Sequence, residues 1–149
     1  MAQLMRLQIP NNWTVSDNKF YDTDPVVDKD GNIVNWHEGF TEDVLWIQET
    51  IFRNEKFETP QFDCFDVDLS YLSGHYVAKL RYTSQTETHE IDLLKSKDRT
   101  EIRNKIETWL KDISDNHADY KKKCGHVIRT KTVCRGQTAN STYLQFFAG

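Results

Sequence analysis

Between Phe65 and Tyr82 the chain alternates apolar and polar residues twice around a two-residue break. Phe65, Val67, Leu69 and Tyr71 alternate with Asp66, Asp68 and Ser70; Tyr76, Ala78, Leu80 and Tyr82 alternate with Val77, Lys79 and Arg81. A period of two is that of a strand with one covered face. Ser73-Gly74 has the composition of a tight hairpin turn. It would pair Leu72 with His75, Val67 with Leu80, Asp66 with Arg81 and Asp68 with Lys79. A slip of one residue would put charges on the covered face, so the register is strongly specified. Glu87 to Leu93 is expected as a third strand, with Tyr82 opposite Glu87, Leu80 opposite His89, Ala78 opposite Ile91 and Tyr76 opposite Leu93.

Two helices are predicted around this meander. The first spans about 36–53, because Phe40, Val44, Ile47 and Ile51 fall on one helical face, with Glu42 and Asp43 placed where a helix dipole favours acids. The second begins at Asp98. Asp98-Arg99-Thr100-Glu101 has the form of a capping box, and Ile102, Ile106, Trp109 and Ile113 make one apolar stripe. Upstream, Val26-Val27 and Ile33-Val34 flank Asp30-Gly31 as a hairpin, and 13–21 adds a further strand. Downstream, 126–134 and 142–147 read as a last pair of strands. The expected order is ββ-α-βββ-α-ββ. It describes a single α+β domain over 1–149, an antiparallel sheet with two main helices on one face, and a basic β-hairpin at about 120–149.

Charge is divided unevenly along this order. Residues 1–94 hold 17 acids against 7 bases, whereas 95–149 hold 6 against 12. An acidic surface formed by Asp22, Asp24, Asp28, Asp30, Glu38, Glu42 and Asp43 would attract a basic partner. The tail, with Lys121, Lys122, Lys123, Arg129, Lys131 and Arg135, offers the alternative of phosphate contact and nucleic-acid binding. The overall charge of −4 argues against a dedicated nucleic-acid binder. No apolar run reaches the length of a membrane span, and the first residues lack the apolar core of a signal peptide, so the cytoplasm is the expected compartment.

The chemistry-bearing residue types have plain structural readings. Asp28, Asp30 and Asn32 imitate the start of a calcium loop, but Gly31 precedes the third ligand position and Gly39 stands where a bidentate Glu is needed. Cys124, His126 and Cys134 lack the paired spacing of a zinc site. Asp66, Asp68 and Glu90 read as cross-strand partners of Arg81 and Lys79 rather than an acid–base cluster. His89 reads as a core histidine. No nucleophile motif or glycine-rich phosphate loop is present. Neither catalytic residues nor a metal or other cofactor are expected, and an enzyme would have to assemble its site in space.

The order over 36–115 resembles the α-β-β-β-α arrangement of double-stranded RNA-binding domains. It lacks their Gly-Pro-x-x-His loop, and Lys95-Ser96-Lys97-Asp98-Arg99 mixes an acid into the place of their basic cluster. A second likeness lies in Ile9-Pro10-Asn11-Asn12-Trp13-Thr14-Val15, Asn18-Lys19-Phe20-Tyr21-Asp22 and Asp24-Pro25, with the helix motif Ile102-x3-Ile106-x2-Trp109-Leu110. This pattern resembles small bacterial cytoplasmic proteins that include immunity proteins against toxins. The resemblance implies a protein-binding role, with the acidic surface blocking a basic partner, and supplies no catalytic residues.

Overall fold

The computed structural model describes residues 2–120. The chain divides into two compact units, 1–110 and 111–149. The first contains β1 (Trp13–Asn18), β2 (Leu45–Glu49), β3 (Ile51–Arg53), β4 (Lys56–Glu58), β5 (Cys64–Leu72), β6 (His75–Thr83) and β7 (Thr88–Ser96). Helix α1 (Arg99–Asp115) begins in it. In the second unit the described residues, 111–120, are helical apart from Asn116. The expected basic hairpin at 120–149 lies outside the described residues from 121 onward.

The protein is mixed α+β. A five-stranded antiparallel sheet runs in the order β1-β2-β5-β6-β7, and β3 and β4 form a separate two-stranded sheet. The β5–β6 register is the one read from the alternation, from Cys64 opposite Thr83 to Leu72 opposite His75. Ser73 and Gly74 both take positive φ, 53° and 82°, as a two-residue turn matched to strand twist requires. On the covered face Phe65, Val67, Leu69, Ala78 and Leu80 are almost wholly buried. Each large side chain there contributes about 1.5–3 kcal/mol by leaving water.

The first predicted helix is not formed. Residues 36–53 instead make a short 3-10 turn (Trp36–Glu38), a stretch of bends, β2 and β3. The helical spacing of Phe40, Val44 and Ile47 was also compatible with a strand, and two features decide for it. Gly39 ends the turn with φ 99°, a conformation that breaks a helix. Leu45, Ile47 and Glu49 are buried while Trp46 and Gln48 face outward, which is a period of two with an acid at a covered position. Glu49 hid that period. Its Oε1 accepts the Phe65 backbone N–H at 2.7 Å, which offsets the cost of burying a carboxylate. The likeness to the RNA-binding order fails with this helix.

A hairpin follows at once. Asn54 and Glu55 have φ 53° and 62°, so they turn the chain and bring Phe52 opposite Phe57 with ring centroids 5.1 Å apart. Both rings are largely exposed.

The third meander strand forms in a different register. Tyr82 lies opposite His89, not Glu87, and Thr83 opposite Thr88. Partners then jump from Arg81–Glu90 to Leu80–Asp92, leaving Ile91 as the extra residue of a bulge. Ala78 therefore faces Leu94, and Tyr76 faces Ser96. The bulge reverses the outward pattern: Leu93, expected on the covered face, is exposed, whereas Asp92 turns toward α1. There Asp92 accepts the Trp109 indole N–H at 3.1 Å and pairs with Lys105 at 3.3 Å. The stripe predicted for α1, Ile102, Ile106, Trp109 and Ile113, is buried, and Leu110 is buried with it. Asp98 Oδ1 accepts the Thr100 N–H at 2.9 Å as the helix cap, while Glu101 reaches the Ser96 hydroxyl rather than the Asp98 N–H.

Phe20, Phe40, Tyr71 and Tyr76 close the turn end of the meander as an aromatic cluster, with ring centroids 5.0–6.3 Å apart. The Tyr76 hydroxyl is buried with no hydrogen-bond partner, and burial pushes its pKa up from 10.0 to about 12. Above the ordinary tyrosine pKa the unfolded chain releases this proton while the folded chain keeps it. Stability is therefore lost from pH 10 upward until the folded group also ionises near 12. Urea unfolding of Tyr76→Phe over that window should show a shallower loss than the wild type. At neutral pH the variant should be no less stable, because an unsatisfied buried hydroxyl is removed.

Candidate interaction surface

The acids of the expected binding surface fall into distinct environments. Asp22 and Asp24 are held by Arg99, the first residue of α1. Its Nη2 lies 3.2 Å from Asp22 and its Nη1 2.5 Å from Asp24. A cation at a helix N-terminus opposes the helix dipole, and the two carboxylates offset that cost. Burial acts to lower the Arg99 pKa, but its hydrogen bonds with Asp24 and Asp22 and their charge outweigh burial and raise it. These two acids therefore fasten the segment before the hairpin onto α1.

Asp28 is used within the hairpin turn. Its Oδ1 accepts the backbone N–H groups of Asp30 and Asn32, both at 2.9 Å, and Gly31 completes the turn with φ 84°. This turn accounts for the calcium-like spacing. Among the described residues no cluster of His, Cys, Asp and Glu is placed to hold a metal. Asp30, Glu42 and Asp43 are exposed and Glu38 is partly exposed.

The arms of this hairpin carry the feature that sequence reasoning missed. Val27 bridges Ile33, and the Val34 N–H bonds the Val26 carbonyl at 2.8 Å. The hairpin joins no larger sheet among the described residues. Val26, Val27 and Val34 are consequently more than half exposed, and Trp36, two residues beyond Val34, is 59% exposed. Buried Asn35 fixes this arrangement: its side chain accepts the Val26 N–H at 2.7 Å and donates to the Asp24 carbonyl at 3.0 Å. The result is a set of exposed apolar side chains, Val26 and Val34 on one face of the hairpin and Val27 on the other by the strand period, with Asp24, Asp28 and Asp30 on the same segment and Glu38 just beyond it. The β-branched arms were legible, but nothing in them indicated the lack of a covering layer.

Across the outer face of the sheet, Gln48, Asp66, Arg81 and Glu90 form one polar row by strand register. Arg81 grips Asp66 through Nε at 3.1 Å and Nη2 at 2.5 Å, and the Trp46 indole N–H reaches the same carboxylate at 2.9 Å. Lys79 pairs with Glu90 at 3.9 Å. Asp68 lies opposite Lys79, but burial, the largest influence on it, raises its pKa together with the neighbouring Asp66 charge. A carboxyl with a raised folded pKa weakens the fold when ionised. That penalty is present above the folded pKa and is relieved as the pH falls toward 3.8. Asp68→Asn should therefore raise the melting temperature at pH 7, with the gain shrinking in acid.

His89 is buried opposite Tyr82, with Glu87 Oε1 3.5 Å from Nε2. Lys121, Lys122, Lys123, Arg129, Lys131, Arg135, Cys124, His126 and Cys134 lie outside the described residues. No helix among the described residues is long and apolar enough to cross a membrane. Comparison with protein-family models, with curated proteins and with solved structures finds no match to the chain.

Proposed function

We propose that the protein acts by binding another protein, and that the occupied surface is the hairpin of residues 24–36 with its flanking acids. The observation that carries this reading is the exposure of Val26, Val27, Val34 and Trp36 within an acidic segment. An exposed tryptophan is the kind of side chain that anchors an interface, and exposed valines add apolar area that leaves water when a partner docks. Acids around them favour a basic partner and reject an acidic one. Asp22 and Asp24 act indirectly by holding the segment to Arg99, while Asp30, Glu38, Glu42 and Asp43 provide the attraction.

The mode of action in this reading is occlusion: the surface covers a basic cleft of its partner, as an immunity-type inhibitor covers a nuclease. The setting is the cytoplasm. Affinity capture from the source cell with the full-length protein tests the reading. A protein with a basic surface should be retained by the wild type and lost with Trp36→Ala. Retention of the same proteins by both would contradict it.

A further inference from the structure

A cleft of about 510 Å³ opens on the outer face of the sheet, and its lining includes none of residues 24–36. Its floor is the polar row of Gln48, Asp66 and Arg81 with Thr83 and Thr88, and residues 59–61 and Trp46 contribute to its walls. The volume is that of a small-molecule site. We propose that this cleft binds a neutral, hydroxylated ring, a sugar unit, with Trp46 as its stacking platform.

Three observations select that class. The charges on the floor cancel, because Asp66 and Arg81 are joined by two hydrogen bonds, so neither an anion nor a cation meets an unopposed charge. Donors and acceptors are nevertheless both presented. Arg81 Nη1 makes no hydrogen bond among the described residues, its Nε and Nη2 being taken by Asp66. The Gln48 carbonyl oxygen accepts from Ser16 at 2.6 Å, which leaves its amide N–H groups to the cleft. Asp66 keeps acceptor capacity beyond the three hydrogen bonds it receives, and the Thr83 and Thr88 hydroxyls lie 3.1 Å apart at one end. Vicinal hydroxyl groups, each able to donate and accept, match such a mixed set.

The third observation is the orientation of Trp46. Its indole N–H is tied to Asp66 at 2.9 Å, which fixes the edge of the ring, and the residue is 39% exposed. A fixed aromatic face covers the C–H side of a pyranose at little entropic cost. Asp66 thus joins the stacking ring and the donor Arg81 in one rigid unit.

The test is a titration of the full-length protein with methyl glycosides of glucose, galactose, mannose and N-acetylglucosamine, followed by the NMR signals of the Trp46 indole N–H and the Arg81 Nε–H. Concentrations up to about 50 mM suit the millimolar affinity of a cleft with few contacts. At least one glycoside should shift both signals saturably. Trp46→Ala should abolish the Arg81 shift, and Trp46→Phe, which keeps an aromatic face, should retain part of it. Gln48→Leu should weaken binding with the fold intact, and provides the readout if Trp46→Ala does not fold. No saturable shift with any glycoside would overturn the proposal. So would equal shifts with sodium phosphate or acetate, or full binding retained by both Trp46→Ala and Gln48→Leu.

Discussion

Gly39→Ala is expected to destabilise the protein by about 2–4 kcal/mol, among the largest effects of any single added methyl group in this chain. Gly39 adopts φ 99°, and a Cβ built there would fall on the Lys19 carbonyl oxygen. That oxygen belongs to backbone that cannot swing aside like a side chain. Lys19 is itself held, its N–H bonding the Val44 carbonyl at 2.6 Å. Relief of the clash would part the chain beyond β1 from the approach to β2. Gly31→Ala is the matched control: Gly31 also has positive φ, 84°, but nothing lies within 4 Å of the added carbon. It should cost only the left-handed strain, about 1–2 kcal/mol. Urea unfolding of the two variants separates the close approach from the backbone conformation. Equal losses would show that Lys19 yields.

Trp36→Ala is expected to weaken partner binding by about 30- to 1,000-fold, the range for removal of a central aromatic anchor. The same change should leave folding stability within about 0.5 kcal/mol, because Trp36 is 59% exposed and its ring packs edge-on against the exposed His37. This split distinguishes an anchor from a structural residue. Val34→Ala should follow in the same direction with a smaller loss. Asp30→Asn should act mainly on the association rate, since an exposed charge at the rim steers more than it holds. Calorimetric titration with the captured partner gives the affinities, and thermal unfolding gives the stabilities.

The parts of this fold that were legible are those in which one local signal acts alone. Alternation around Ser73-Gly74 specified β5 and β6 residue by residue, and the stripe from Ile102 to Ile113 identified the buried side of α1. The stretch at 36–53 was misread because two periods coexist there: Phe40, Val44 and Ile47 satisfy a helix, while the strand period is masked by Glu49. The backbone hydrogen bond that makes Glu49 tolerable comes from Phe65, sixteen residues away, and no local pattern reports it. Asn54, at the first turn position of the missed hairpin, was a usable signal, since Asn tolerates positive φ. The bulge at Ile91 left no local signal, because it places Asp92 against Trp109 and Lys105 of α1. Among the candidate binding residues, the acids could be named from sequence but not sorted. Only their partners separate Asp22 and Asp24, tied to Arg99, from Asp30, Glu42 and Asp43, which stand in water.

The binding account divides its labour: acids bring the partner in, and apolar side chains hold it. Stopped-flow association and dissociation of the protein and its captured partner, across ionic strength, measures the two separately. The account predicts an association rate that falls steeply with salt and falls further when Asp30, Glu38, Glu42 and Asp43 are replaced by their amides. It predicts a dissociation rate nearly indifferent to salt and strongly raised by Trp36→Ala. An association rate unchanged by salt and by the amide replacements, with dissociation untouched by Trp36→Ala, would contradict it.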